Sequence, residues 1–372
     1  MKYGKQYRKC GKQFKVPAMC AALAVYAAHS PAVFAQSSLK FYGIADTYIE
    51  YKSNNIDNKK RGASAGRSSS SGGSSMRMGS GGLSGSRWGM QGVEDLGGGM
   101  QAVFTLEGGL NTHTGTMAEE GRPFNRQAFL GLNSPYGMVT LGRQYTSMFS
   151  LLFPMVPQAY APAYEPSGAL LGGVRHDNLV KYRVGTGALS AQAHYQLDDA
   201  AGTRYQRSAW GGGASYLSGL FGLAAVYDEA GGAKPTTASN RLRKLALSAS
   251  YAPDPWHLTA GYRWAQDKTA RGSLNQRDDM WWIGVGYRLS RVLQVTAAFY
   301  YDDVKADAGG GNPPNPKQHV LQLLYSGLSK RTDLYAVGAY ARNSALNFAP
   351  LATLPPGKDS QAALALGIRH KF

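Results

Sequence analysis

Residues 364–372, LALGIRHKF, alternate between two kinds of side chain. Counted back from Phe372 in steps of two, one face of this stretch carries His370, Ile368, Leu366 and Leu364. The other face carries Lys371, Arg369, Gly367 and Ala365. A period of two residues is typical of a β-strand whose two faces meet different surroundings. The stretch therefore predicts a strand with one largely apolar face and one cationic face.

The opposite end of the chain has the pattern of a secretory signal peptide. Residues 1–15 contain six basic residues and no acid, and residues 16–28 form an apolar run. A membrane anchor fits less well, because the run is shorter than the roughly 20 residues that a spanning helix needs. The following PAVFAQ places suitable small residues before a signal-peptidase site. We predict cleavage between Ala35 and Gln36, so that residues 1–35 are removed and residues 36–372 are exported.

Cysteine content and charge narrow the chemistry of the exported protein. Both cysteines, Cys10 and Cys20, lie in the predicted signal peptide. Without them the protein has no disulfide, thiolate metal site or cysteine nucleophile. It keeps 34 Lys and Arg against 23 Asp and Glu, a formal net charge of +11. In an exported protein this charge favours a surface or pore that handles anions, and nucleic acid is not the expected partner.

Composition favours a membrane β-barrel. The chain contains 47 glycines and 23 tyrosines, and only 17% of its residues are charged. In such a barrel each strand alternates lipid-facing apolar residues with polar residues that face the lumen, which dilutes the hydrophobic signal. A soluble β-sandwich would instead need long, fully buried strands with its aromatic residues inside.

Period-two stretches bounded by turn residues predict sixteen strands. In the stretch HLTAGYRWAQ, for example, Leu258, Tyr262 and Trp264 share the face opposite Thr259 and Arg263. The sixteen predicted strands lie near 38–52, 76–93, 99–110, 124–133, 137–146, 177–184, 188–197, 207–217, 220–229, 241–252, 256–266, 279–289, 292–303, 317–326, 332–342 and 361–372.

Short and long connections alternate strictly along the chain. Short ones such as NSPYG and APDP alternate with long ones at 53–75, 111–123, 147–176, 198–206, 230–240, 267–278, 304–316 and 343–360. This rhythm is typical of an up-and-down barrel with tight periplasmic turns on one rim and long external loops on the other. It makes the Ser/Gly-rich run at 61–75 part of the first external loop rather than a linker, so we predict one domain.

A closed barrel hides its sheet edges by pairing its first and last strands. The stretch SLKFYGIADTYIEY should therefore pair with AALALGIRHKF. Phe372 should then mark the membrane rim and serve barrel assembly. The alternative is an ordinary edge strand of a soluble sheet.

Six stretches, in order, resemble the trimeric general porins of the Gram-negative outer membrane. They are SSLKFYGIADTYIEY, GGLSGSRWGMQGVEDLGGGMQAVFTLEGG, RPFNRQAFLGLNSPYGMVTLGRQY, RHDNLVKYR, GLSKRTDLYA and LGIRHKF. The resemblance implies a 16-stranded antiparallel transmembrane β-barrel, three per assembly. It also implies an inward-folded third external loop and a ladder of basic side chains on the opposite wall. Outer-membrane lipids and the barrel-assembly machinery are the implied partners.

Candidate constriction residues follow from this resemblance and from strand alternation. The basic candidates are Arg87, Arg126, Arg175, Lys181 and Arg183. Arg87 faces inwards if Trp88 faces lipid, and Arg126 faces inwards if Phe129 faces lipid. The neighbours of Lys181 and Arg183, which are Val180, Tyr182 and Val184, take the outer face. The alternative is that these basic side chains are simply solvated on an exposed sheet face.

The third loop, residues 146–176, departs from the family pattern. Glu165 is its only acid, whereas the family commonly places more than one carboxylate there, and Asp177 just beyond it is a second candidate. SMFSLLF predicts a short helical turn stopped by Pro154. Alternation also places Asp46, Glu50 and Glu107 on the inner face. A constriction with few acids predicts a moderate preference for anions.

These features predict a passive, water-filled channel for small hydrophilic solutes and anions. No cofactor, metal or enzymatic activity is expected, because the histidines are scattered singly and neither a Walker lysine nor a GxSxG elbow is present. The alternative function is a non-transporting, adhesin-like or structural barrel closed by its apolar third loop. Four cations of the first loop are candidates for lipopolysaccharide contacts: Lys59, Lys60, Arg61 and Arg67.

Overall fold

A computed structural model describes residues 37–56, 73–171, 173–197, 208–231, 241–269, 272–307 and 314–372. The predicted signal peptide and the four cations of the first loop lie outside these residues. In the described part of the chain, no helix has the length and apolar character needed to cross a membrane.

Within these ranges the chain forms eighteen strands. They are β1 (Ser38–Asn55), β2 (Gly73–Ser80), β3 (Arg87–Gly97), β4 (Met100–Asn111), β5 (Thr116–Met117), β6 (Gln127–Ser134), β7 (Gly137–Tyr145), β8 (Arg175–Thr186), β9 (Leu189–Gln196), β10 (Ala209–Leu217), β11 (Phe221–Gly231), β12 (Arg241–Tyr251), β13 (Trp256–Lys268), β14 (Leu274–Arg288), β15 (Leu293–Asp307), β16 (Lys317–Tyr325), β17 (Thr332–Arg342) and β18 (Ser360–Lys371).

These strands form one closed antiparallel barrel with sixteen positions. β2 and β3 occupy a single position, because both pair with β1. β5 pairs only with the end of β4 and stands outside the barrel wall. All sixteen predicted strands are confirmed, although the second is interrupted between Ser80 and Arg87.

The barrel closes where the sequence predicts. β1 pairs with β18 from Ile44 opposite Lys371 to Lys52 opposite Ala363. Beyond this register the backbone N–H of Gly43 donates to the carbonyl of Phe372 at 3.0 Å, and the N–H of Phe372 donates to the carbonyl of Gly43 at 3.1 Å. Pairing of the first and last strands closes the barrel.

The burial pattern is the reverse of that in a soluble protein. Along β14, Trp281 and Ile283 are each 52% exposed, whereas the alternating residues Met280 and Trp282 are buried. Many charged side chains are fully buried on the inner face, including Asp46, Glu50 and Glu107 as predicted. The large exposed apolar side chains face outwards, as a strand wall in contact with lipid requires, and the charged residues of the strands face inwards together with the apolar residues that the third loop covers.

The interruption of the second strand has a specific cause. After Gly81, which has a φ of +79°, the backbone leaves the ladder and turns towards the lumen. The N–H groups of Gly82, Leu83 and Ser84 donate to the carboxylate of Asp46 at 3.1, 3.0 and 2.8 Å. A buried carboxylate needs such donors. The ladder bonds lost between β2 and β3 are thus replaced by bonds to a β1 side chain.

The third loop, from Thr146 to Val174, packs against the inner wall. It begins with the predicted helical turn, Ser147–Leu152, which Thr146 caps by accepting from the N–H of Phe149, and continues as a 3-10 turn, Phe153–Met155. A second short helix spans Ser167–Leu171. Two further 3-10 turns, Leu346–Phe348 and Leu351–Thr353, precede β18.

The main apolar cluster of the protein lies between this loop and the wall. It includes Met148, Leu152 and Met155 of the loop and Trp282 and Tyr300 of the strands. Polar bonds add to the apolar contacts: the carbonyl of Met155 accepts from Ser248 Oγ at 3.1 Å and from Trp282 Nε1 at 3.3 Å. The loop is therefore held on the β11 to β15 side of the barrel.

Candidate pore constriction

A cavity of about 650 Å³ separates the third loop from the opposite wall. The wall side is lined by Tyr42, Arg87, Glu107, Arg126, Tyr145 and Arg175, and the loop side by Phe149, Phe153 and Tyr160. The interrupted part of the second strand, with Ser84 and Gly85, lines it as well. This cavity between loop and wall is the candidate functional site.

Three arginines from separate elements converge in the cavity. Arg126 Nη2 and Arg175 Nη2 both donate to the hydroxyl oxygen of Tyr145, at 2.8 and 2.9 Å. Arg126 Nε also donates to Glu107 Oε1 at 2.7 Å, and Arg87 Nε lies 3.8 Å from Glu107 Oε2. The wall side thus presents three guanidinium groups and one carboxylate.

The two arginines that alternation placed inwards reach the cavity for different reasons. Trp88 packs against Phe41 on the outer surface at 6.2 Å between ring centroids, which leaves Arg87 on the inner face as predicted. The argument for Arg126 is wrong, because Phe129 stands opposite the buried Thr105 on the inner face. Arg126 reaches the cavity because it precedes β6, where strand alternation does not yet apply.

The predicted acid of the third loop does not line the cavity. Glu165 is 1% exposed and accepts from the Tyr300 hydroxyl of β15 at 2.7 Å, on the far side of the loop. Backbone N–H groups of Gln158, Tyr160 and Ala161 also face its carboxylate. Burial raises the pKa of Glu165 to about 7. The acid of the cavity is Glu107, so the expectation that Glu165 forms the acidic side is corrected.

Three other predicted site residues lie outside the cavity lining. Lys181 is buried, and its Nζ donates to the Tyr145 carbonyl at 3.1 Å and to Ser150 Oγ at 2.9 Å, which fixes the start of the loop. Arg183 is exposed and lies further along β8, towards the short turn that follows. Asp177 forms ion pairs with Arg143 at 2.7 Å and Arg122 at 3.4 Å. The expectation that Asp177 is an acid of the constriction is therefore corrected.

Besides Tyr42, four aromatic residues that sequence reasoning missed line the cavity: Tyr145, Phe149, Phe153 and Tyr160. Phe149 stacks on Tyr145 with ring centroids 4.2 Å apart and on Tyr160 at 4.7 Å, and Phe153 lies 5.7 Å from Phe149. Strict alternation from the exposed Leu141 would place Tyr145 outwards. The regular pairing with β8 is broken between Gly142 and Gln144, where Gly142 has a φ of +128°, and Tyr145 lies on the inner side beyond this break.

Comparison with known proteins identifies relatives over nearly the whole chain. The sequence model of the Gram-negative porin family matches residues 21–346. An outer membrane porin protein of Bordetella pertussis is 32% identical, and the alignment covers 94% of this chain and 98% of that protein.

Solved structures share the fold. The anion-selective porin from Comamonas acidovorans has a TM-score of 0.75 at 24% identity and covers 91% of this chain and 100% of its own. The trimer form of OmpT, an outer membrane protein of Vibrio cholerae, has a TM-score of 0.66 at 14% identity and covers 90% of this chain and 99% of its own. The chain belongs to the Gram-negative porin family and forms a passive diffusion channel in the outer membrane.

Proposed function

We propose that this porin prefers anions among the small hydrophilic solutes and ions it conducts, and that Arg87, Arg126 and Arg175 form the basic side of its constriction. The observation that supports the proposal is the composition of the cavity lining. Three guanidinium groups and one carboxylate, Glu107, line the cavity, and the loop side contributes aromatic rings instead of the expected acids.

Uncompensated fixed charge in a narrow aqueous passage raises the local concentration of counter-ions. Rings of Arg and Lys are the usual device of anion pores. Glu107 offsets part of the positive charge, so the preference is moderate, and it weakens as rising salt shortens the Debye length. The likeness to a porin described as anion-selective agrees with this proposal.

A planar-bilayer recording in a salt gradient tests the proposal. The wild-type zero-current potential should indicate chloride preference, and Arg87→Ser combined with Arg126→Ser should shift it towards cation permeation while conductance is kept. Arg331→Ser, an exposed arginine outside the cavity lining, serves as the matched control and should leave the potential unchanged. A wild-type channel that favours potassium, or a double variant with an unchanged potential, contradicts the assignment.

The alternative function is a structural or adhesin-like barrel whose lumen is closed by the third loop. The cavity of about 650 Å³ between loop and wall favours an open channel. The same recording separates the two functions, because a closed barrel would insert as a folded protein and give no conductance steps.

We also propose a homotrimer that contacts outer-membrane lipids through its exposed apolar side chains and is inserted by the barrel-assembly machinery through Phe372. The Phe372 ring is 45% exposed and lies 6.2 Å from the Phe41 ring at the closing seam. A charge at this position would be desolvated at the lipid boundary. Phe372→Asp should therefore reduce the heat-modifiable folded band on a semi-native gel, and normal yield of folded trimer would contradict this role.

A further inference from the structure

The loop side of the constriction is more apolar than inorganic anion conduction requires. Phe149, Phe153 and Tyr160 form one continuous group of rings that extends to Tyr145 on the opposite wall. Phe153 is 41% exposed and lines the cavity. A chloride ion gains nothing from such a surface, because ring faces carry negative electrostatic potential. The rings therefore fit a ligand that has an apolar body as well as a negative charge.

Tyr145 joins the cationic and aromatic parts of the cavity. Its hydroxyl oxygen accepts from Arg126 and Arg175, and its ring stacks on Phe149 at 4.2 Å. The guanidinium carbon of Arg175 lies 4.4 Å from the centroid of the same ring. Both faces of the Phe149 ring are already stacked, on Tyr145 and on Tyr160. A carboxylate held by the guanidinium groups would therefore leave an attached flat ring in the same cavity as the exposed Phe153 ring and the edge of Phe149. Carboxylates bind arginine through paired hydrogen bonds, and aromatic rings prefer offset contacts with centroids 4.5 to 7 Å apart.

The aromatic surface is held in place by strained backbone. Ala159 and Tyr160 have φ values of 51° and 56°, in the left-handed region that few residues other than glycine adopt. Glu165 supports this turn, since its carboxylate faces the N–H groups of Tyr160 and Ala161 and accepts from Tyr300. The loop is thus built to present the Tyr160 ring to Phe149.

The polar groups of the cavity select the charge of the ligand. The lining offers guanidinium donors, while the carboxylate of Glu107 already accepts from Arg126 and from the Tyr42 hydroxyl at 2.9 Å. A cation with an aromatic body would be repelled by the three arginines, and a neutral aromatic molecule would leave them without a counter-charge. An aliphatic carboxylate would satisfy the arginines and forgo the ring contacts.

We propose that the constriction is a binding site for small aromatic carboxylates, which occupy it more tightly than aliphatic carboxylates of equal charge and similar size. This inference rests on the proposed anion preference, because the ligand must first enter an open, anion-attracting channel. Ring contacts of this kind contribute about 0.5 to 1.5 kcal/mol, which corresponds to a preference of about fivefold.

Block of the chloride current through the reconstituted protein tests the site. Benzoate should halve the current at a concentration about fivefold lower than cyclohexanecarboxylate does, and benzamide, which has no charge, should be the weakest blocker of the three. Equal half-blocking concentrations for benzoate and cyclohexanecarboxylate in a chloride-selective channel overturn this inference and leave the proposed function intact. A channel without chloride preference instead overturns the proposed function.

Loop variants locate the site. Phe149→Leu combined with Phe153→Leu should bring the benzoate preference close to one and keep the chloride preference, because no charge is removed. Phe221→Leu, which removes a ring that is 53% exposed on the outer barrel surface, is the matched control and should keep the benzoate preference. A loop variant that keeps the preference would refute the assignment to these rings. If that variant does not give a folded band, the wild-type comparison of the three blockers decides the question.

Discussion

On one wall of the lumen, Arg87, Arg126 and Arg175 line the cavity together with a single carboxylate, whereas on the other wall two cations face three aspartates. The second group takes one residue from each strand of β11 to β15: Asp228, Lys244, Arg263, Asp278 and Asp302. Arg263 pairs with Asp278 and lies 3.6 Å from Asp302, and Lys244 lies 3.6 Å from Asp228. All five are buried, and Lys244 also donates to the carbonyl of Leu171 in the loop.

The difference between the walls comes from the position of the third loop. Where the loop covers the wall, the charges are desolvated and lie beside partners of opposite sign, and Lys244 also bonds the loop, so little net field is left. Where the loop leaves a cavity, the charged side chains line an aqueous space, so positive charge can exceed negative charge there and can act on passing ions. Inward-facing charge therefore predicts selectivity only on the wall that the loop does not cover.

The largest expected effect is on stability at the covered wall. Arg263→Met removes the partner of two buried carboxylates and should lower the free energy of unfolding by about 3 kcal/mol. Denaturant titration of the detergent-folded barrel measures this. Adding Asp278→Asn and Asp302→Asn should recover most of the loss, because neutral side chains need no counter-charge. If the Arg263→Met protein is as stable as the wild type, the charges of the covered wall do not depend on their pairing, and the proposed difference between the two walls is wrong.

A smaller effect is expected at the open wall, and it concerns permeation. One charge about 5 Å from the ion path changes the energy of a chloride ion by about 0.8 kcal/mol in water. The same charge changes the energy of a potassium ion by an equal amount in the opposite direction, so Arg126→Met should lower the chloride-to-potassium permeability ratio about 16-fold, as measured by zero-current potentials. Arg126→Met should lower the free energy of unfolding less than Arg263→Met does, because Glu107 keeps its hydrogen bond from the Tyr42 hydroxyl and its ion pair with Arg87. The comparison fails if the two variants change selectivity equally.

The smallest expected effect is a pH dependence of the loop that separates the walls. The pKa of Glu165 is raised to about 7 by burial from an ordinary value of 4.5, with Tyr160 and Tyr300 as the titratable side chains that face it. The folded protein holds this proton over a range in which the unfolded chain has lost it, so the stabilisation is present below pH 4.5 and decreases up to about pH 7.

Hydrogen exchange of the amides at 158–165 should accordingly be faster at pH 8 than at pH 5, after correction for the intrinsic rate. In Glu165→Gln this difference should disappear, because the amide cannot ionise. Equal protection of the wild-type loop at both pH values would show that the carboxylate does not control the loop.

The barrel was predictable from sequence because period-two alternation and loop rhythm are repeated sixteen times, so that local errors do not change the count. The constriction was predictable only in part. Arg87 follows from alternation within β3, but Tyr145 lies on the inner side beyond a break in the pairing with β8 that no pattern encodes. The acid Glu165 was visible as a residue of the loop, whereas the side of the loop to which it points depends on the whole path from Thr146 to Val174.

The carboxylate of Asp46 has a consequence for the order of events in folding. Its donors come from Gly82, Leu83 and Ser84, which follow β2, and from the Tyr335 hydroxyl of β17, 289 positions away in the sequence. Arg369 of β18 in turn donates to Ser84 Oγ at 2.9 Å. The bonds from Tyr335 and Arg369 exist only when both ends of the chain have met, and joining distant segments carries a loop-closure entropy. A barrel whose first and last strands are not yet paired therefore lacks two of the bonds that fix the interrupted second strand in the finished ring.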